Sequence, residues 1–270
     1  MEVNRMTTQE LDLWLARELE AFPGRAALHM TDADTGAVLH SFQAHLPVTS
    51  ASTIKTPVLL AALDQVAASR LDLSAPIPLE PSLILADSSV FEPENPQTSF
   101  TLWEYLYWMI VESDNTATNV ILDLLGFDRI NDYIEKGLGL TGTVCRRRML
   151  DFEAKAAGRD NLTTAADQCR VFELLCRRSI LTPPLVDVAL DMLTRQRSMS
   201  SFLRYIPHPI TVAHKTGGLD HVSHDAGLFW LDERRFALSI LTWDGPSLDG
   251  QPEQKRFIGR LTHAIYQVYR

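Results

Sequence analysis

Residues 210–243 read ITVAHKTGGLDHVSHDAGLFWLDERRFALSILTW, and their hydrophobic period sets the fold class. Residues 210–214, 226–231 and 236–243 have the length and alternation of strands, and the polar segments 219–223 and 232–235 read as the turns between them. Moving outward to the amino terminus, residues 26–31 and 37–42 flank Asp32-Ala33-Asp34-Thr35-Gly36, a hairpin pattern. An amphipathic helix over 7–22 precedes it, starting at Thr7 or Thr8 and aligning Leu11, Leu15, Leu19 and Phe22 on one face. A helix over 254–269 closes the chain, with Phe257, Leu261 and Ile265 on one side.

Between the two strand groups the period is helical. Helices are expected over 52–69, 101–111, 115–125, 128–136, 163–178 and 184–196. Pro57 falls near a helix start, where a missing N–H is tolerated. Two stretches do not fit, the proline-rich 71–100 and the loop 146–161. Strands first and last with helices between predict an α/β (α+β) fold with a five-stranded antiparallel sheet flanked by the terminal helices. The expectation is one two-lobed catalytic domain over 1–270, with an α/β lobe of about 1–50 and 207–270 and a mostly helical lobe of about 51–206. The crevice between lobes is where chemistry is expected.

Bulk properties narrow the function classes. The formal net charge of −9 argues against nucleic-acid binding, since an acidic surface repels phosphate. Cys145, Cys169 and Cys176 read as buried thiols, because an odd count with no C-x-x-C makes no disulfide framework. No run approaches the ~20 apolar residues of a membrane span. Charged residues interrupt the first 22 positions, so the sequence as written predicts a cytoplasmic protein, periplasmic or secreted only if a signal peptide has been removed. A monomer acting on a small molecule is expected.

Three short motifs carry the chemistry. Ser52-Thr53-Ile54-Lys55 is S-x-x-K at a helix start, Ser113-Asp114-Asn115 lies between two helices, and Lys215-Thr216-Gly217 ends a strand. Two of the five lysines in the chain fall in these motifs. Chance would produce all three in order in fewer than ~1 in 1,000 chains of this length. A serine hydroxyl becomes a competent nucleophile when a neighbouring base takes its proton, and positions three apart on a helix share a face, so Lys55 is placed to act on Ser52. Burial and the second cation, Lys215, would lower the Lys55 pKa.

The trio resembles the serine β-lactamases of class A and the penicillin-binding proteins, and the resemblance spans residues 7 to 270. It implies that Ser52, Lys55, Ser113 and Lys215 are catalytic, with Ser113 relaying a proton to the leaving nitrogen. It also implies that Asn115 binds the substrate amide, that Lys215 and Thr216 hold a substrate carboxylate, and that Asp114 ties its loop together. The backbone N–H groups of Ser52 and Gly218 would form an oxyanion hole, and Gly217 and Gly218 would let a substrate lie along the strand.

The chain departs from the class A pattern in two places. The family carries its deacylating glutamate in an E-x-x-L-N signature, which is absent; the glutamate position falls on or near Met149. The loop appropriate to it runs from Arg147 or Arg148 to Asp160, whose charges could clamp its ends, and Glu153 and Asp151 are its candidate substitute bases. Past the K-T-G segment, 221–225 lacks the arginine of many class A enzymes. His214, His221, His224 and Asp225 read as hydrogen-bonding groups, and no metal or cofactor is expected. The sequence therefore predicts an acyl-transfer hydrolase acting on a β-lactam or related amide or ester. The alternatives are D-alanyl peptide processing, or a penicillin-binding sensor that is acylated and deacylates slowly.

Overall fold

The strand-forming residues at both chain ends assemble one antiparallel sheet. The computed structural model describes residues 6–92, 98–207, 209–232, 234–249 and 251–270. Position 233 of the second expected turn and positions 93–97 of the proline-rich stretch lie outside them, as do positions 1–5. The sheet strands are β1 (Arg25–Asp32), β2 (Val38–Phe42), β3 (Thr211–Leu219), β4 (Val222–Trp230) and β5 (Arg235–Trp243). Their spatial order is β2-β1-β5-β4-β3, so β5, the last in sequence, lies between the two strand groups. Leu28 pairs with Ile240 across β1 and β5, and Gly217 pairs with His224 across β3 and β4.

The sheet is covered on both faces, and the two-residue period sorts its side chains between them. Phe236, Leu238 and Ile240 of β5, with Leu28, Met30 and Phe229, pack under helices α1 (Thr8–Glu20) and α9 (Glu253–Tyr269). Leu11, Leu15 and Leu19 of α1 are buried there, each contributing roughly 1.5–3 kcal/mol of gross burial. The α1 start is a capping box: Thr7 Oγ1 accepts from Glu10 N–H at 3.2 Å, and Thr7 N–H donates to Glu10 Oε2 at 2.8 Å. On the opposite face the sheet offers Ala213, Ala226, Leu228 and Ala237, which join a second core.

That second core is built by the central helices α2 (Lys55–Ala67), α3 (Leu102–Val111), α4 (Asn115–Leu125), α5 (Phe127–Asp132), α7 (Ala165–Cys176) and α8 (Pro183–Thr194), while the short α6 (Phe152–Ala156) lies outside it. Cys145, Cys169 and Cys176 are free and buried, and burial pushes each thiol pKa up. No helix among the described residues is long and apolar enough to cross a membrane.

Three local differences from the sequence expectation matter for the site. The helix expected from residue 52 starts at Lys55; Ala51–Ile54 form a 3₁₀ turn instead, with Ala51 at φ +45°. The strand expected to stop at His214 continues to Leu219, and its partner begins at Val222 rather than residue 226. The turn expected over 219–223 shrinks to Asp220 and His221, and the polar residues after it are buried strand, because Ser223, His224 and Asp225 all find hydrogen-bond partners inside. Within the proline-rich stretch, Pro76–Pro78 pairs with Ser99–Thr101 as a small separate ribbon.

Candidate active site

Three chain segments converge on one polar cavity of about 230 Å³. Its walls include Ser52, Ser113, Asn115, Thr216, Gly217 and Gly218. The first segment is the 3₁₀ turn carrying Ser52. It is pinned by Ser50 N–H to Asn161 O at 2.8 Å and by Thr53 Oγ1, which donates to Ser50 O at 2.7 Å. The second is the link between α3 and α4, where Ser113 sits at φ +59°. Asp114 then caps α4: its Oδ1 accepts from Ala117 N–H at 2.7 Å and its Oδ2 from Ser88 Oγ at 2.6 Å. The third is the end of β3 at the sheet edge.

Close approach of these segments depends on glycine. A Cβ on Gly217 would lie 3.1 Å from the Ser52 backbone nitrogen and 3.2 Å from Ser50 O, so a bare strand is what lets β3 lie against the Ser52 turn. That contact brings the Ser52 amide beside Gly217-Gly218.

Both motif lysines are fully buried, and their ammonium groups meet at Ser113. Lys55 Nζ donates to Ser113 O at 2.5 Å, to Asn115 Oδ1 at 2.7 Å and to Ser113 Oγ at 3.2 Å. Lys215 Nζ donates to Ser113 Oγ and Thr216 O, each at 3.0 Å. Burial pushes Lys55 well below the usual lysine range, and the charge of Lys215 pushes it the same way. Burial also takes Lys215 down to about 7, partly opposed by Asp225. Both shifts favour the neutral amine, the form of lysine that can accept a proton from a hydroxyl. The i, i+3 spacing put Lys55 on the face of Ser52, and its donors go to other partners, Ser113 and Asn115; among the described residues no hydrogen bond joins its ammonium to Ser52.

The sequence model of the β-lactamase enzyme family matches residues 10–269. The chain belongs to this family. A curated β-lactamase of Bacteroides uniformis is 24% identical over 260 residues, covering 88% of this chain and 84% of that one. The crystal structure of a β-lactamase from Sphaerobacter thermophilus superposes with a TM-score of 0.85 at 26% identity, covering 94% and 95% of the two chains. A PBP-A variant solved as its acyl-enzyme complex with penicillin G gives a TM-score of 0.84 at 25% identity, with 97% and 95% covered. The protein is thus a serine hydrolase of the β-lactamase type.

The 147–160 loop, where class A members are expected to carry the deacylating glutamate, is clamped by a mostly buried ion pair, Arg147 Nε to Asp160 Oδ1 at 2.8 Å. At Met149, on or near which the family glutamate was expected, the N–H donates to Asn119 Oδ1 at 2.8 Å and the carbonyl accepts from Asn119 Nδ2 at 3.3 Å, while the side chain joins the helical core. Neither candidate substitute base lines the cavity. Asp151 caps α6, accepting from Ala154 N–H at 2.8 Å, and Glu153 is exposed on the first turn of that helix.

Several residues that build the site carried no sequence signal. Gln196 Nε2 donates to Thr216 Oγ1 at 2.8 Å and so orients that hydroxyl. Asp87, on an exposed loop, accepts from Asn115 Nδ2 at 2.7 Å, occupying the amide implied to bind substrate. His224, in the segment without the arginine, is fully buried with both ring nitrogens engaged, Nε2 at 2.9 Å from Thr49 O and Nδ1 at 3.2 Å from Thr242 N–H. Burial pushes its pKa down to about 4, so it is neutral and holds the segment before Ser52 in place. His214 pairs with Asp225 at 2.8 Å, and Asp225 Oδ2 also accepts from Phe202 N–H at 3.1 Å. Ser198, Ser201, Ser223, His224, Asp249 and Lys255 complete the cavity wall from outside the three motifs.

Proposed function

We propose that a β-lactam, or a related amide or ester, acylates Ser52 and that hydrolysis of the acyl-enzyme is the slow step. The convergence of Lys55 and Lys215 on Ser113 beside Ser52 supports the acylation half. Ser52 Oγ adds to the carbonyl carbon and its proton passes to the neutral lysine amine. The C–N bond then breaks, and the leaving nitrogen takes a proton from Ser113, which the lysines replenish. The Ser52 and Gly218 amides would hold the oxyanion, Asn115 the acyl amide, and Thr216 with Lys215 the carboxylate.

The slow release rests on the 147–160 loop, which contributes no carboxylate to the cavity wall. Water attacking the ester then has no loop base beside it. The likeness to a PBP-A variant solved with penicillin G attached favours the same reading. We also read residues 1–270 as one two-lobed catalytic unit, on the strength of the two cores and the cavity between their elements.

Intact-mass analysis after mixing with benzylpenicillin tests this directly. The expected result is a one-penicillin adduct, lost in Ser52→Ala and persisting for minutes or longer in the parent. Neither adduct nor product would sink it.

A further inference from the structure

Two buried lysines call for two anions, and the motifs contain only one. Asp114, between α3 and α4, acts on Lys55 together with Asp87. Lys215 has no acidic residue in its own segment, and its ammonium donates to two uncharged oxygens, Ser113 Oγ and Thr216 O. Directly across β3 and β4 from Thr216, however, stands Asp225, whose carboxylate is fully buried. Its Oδ1 lies 2.8 Å from His214 Nδ1, and its Oδ2 accepts from Phe202 N–H at 3.1 Å. His214, the residue before Lys215, is 1% exposed, and among the described residues its Nε2 has no hydrogen-bond partner. A cationic ring there would bury a second N–H donor with nothing to accept it. The ring therefore fits as a neutral donor and leaves the carboxylate its charge. A buried anion held by two neutral N–H groups still needs a cation close by, and Lys215 is the one on the neighbouring strand position.

We infer that Asp225 is a positioning residue for acylation, the buried anion against which Lys215 holds its proton. This rests on the acylation of Ser52 proposed above and explains how its second lysine serves two roles. Asp225 does not line the cavity, so it acts through Lys215 and not on the substrate. The other ionisable groups packed around that ammonium do not replace it. Lys55 on α2 bears the like charge, and His224 on β4 is neutral. Glu112, beside Ser113, is paired with Arg197, while Asp249 and Lys255 on the cavity wall carry opposite charges. Burial drives Lys215 toward its neutral form, and the charge of Asp225 opposes that, leaving the group poised at about 7. A lysine stripped of charge holds no carboxylate, and one charged at every working pH takes up no proton. Asp225 sets the balance between the two.

The test is the pH profile of adduct formation with the neutral methyl ester of benzylpenicillin, followed by intact mass. In Asp225→Asn the midpoint is expected to fall by about one pH unit, the scale on which a nearby charge moves a titrating group. The rate at pH 6 should then rise about five-fold, while the rate at pH 8.5 stays within two-fold. A merely structural role would slow the reaction at every pH and leave the midpoint where it was. His214→Asn keeps the anion and should hold the midpoint of the parent. The double variant His214→Asn/Asp225→Asn replaces the pair by two amides able to bond each other, and its midpoint should fall as in Asp225→Asn. It carries the test where the single variant gives no cooperative melt. An unshifted midpoint in a folded variant lacking Asp225, or an equal fall in His214→Asn, overturns the inference while the acylation reading stands. A parent that forms no adduct at any pH overturns both.

Discussion

Adding a single methyl group at Gly217 should slow acylation without unfolding the protein. In Gly217→Ala the new Cβ would stand 3.1 Å from Ser52 N, 3.1 Å from Ala51 Cβ and 3.2 Å from Ser50 O. Comfortable contacts lie near 3.5–4.0 Å, so the β3 edge and the Ser52 turn must separate by roughly half an ångström. All three atoms belong to the turn itself, which is pinned by Asn161 and Thr53, so no side chain can swing away to relieve the contact. An oxyanion donor works at about 2.7–3.1 Å; half an ångström takes it to the edge of hydrogen bonding. Losing such a donor outright costs about 10²–10³ in rate, so partial withdrawal should cost about 10–100-fold. The overpacking itself should cost about 1–3 kcal/mol, a few degrees in Tm for a chain of this size. The assay is the second-order rate of benzylpenicillin adduct formation, measured beside a thermal melt. Gly218→Ala is the internal contrast, because its Cβ would first meet the end of the Asp249 side chain, which can rotate. A folded Gly217→Ala protein that acylates within two-fold of the parent refutes the close-approach argument.

Other consequences are as concrete. Acylation by a neutral ester should rise with pH through about 7 and then level off, because Lys215 is protonated below that value and the lysine pair must offer a free amine; a flat profile from pH 6 to 8.5 would contradict it. Glu153→Gln should leave the lifetime of the acyl-enzyme within two-fold, since that carboxylate is exposed and away from the cavity wall, and a ten-fold longer lifetime in a mass time course would make it the deacylating base after all. Arg147→Ala should lower stability by about 3 kcal/mol in a denaturant titration, because it strands Asp160 without its partner in a mostly buried clamp; a loss under 1 kcal/mol would mean the loop is held by other contacts.

The layer arrangement was legible because its signals are local and repetitive. The two-residue period of 236–243 and the leucines of α1 each state a buried face without reference to the rest of the chain. The three motifs were legible for a different reason, that chemistry ties residue types to short spacings. What the sequence hid were pairings across long separations. The polar Ser223, His224 and Asp225 do not read as strand until Thr242, Thr49, His214 and Phe202 arrive to bond them. Gln196 and Asp87 are ordinary polar residues whose meaning comes only from what they touch, Thr216 and Asn115. The S-x-x-K spacing gave no hint that the Lys55 ammonium also bonds Ser113, 58 positions on.

Ala51 and Ser113 carry a cost that sequence rules would have avoided. Side chains with a Cβ are disfavoured by roughly 1–2 kcal/mol in the backbone shape each adopts, and neither is glycine. One precedes the hydroxyl that attacks; the other bears the hydroxyl that both lysines address. The chain thus keeps its reacting groups aimed by spending stability at two joints, and the packed cores on either side hold those joints shut. Selection for heat tolerance alone would favour glycine at 51, trading a stiffer nucleophile for a sturdier fold.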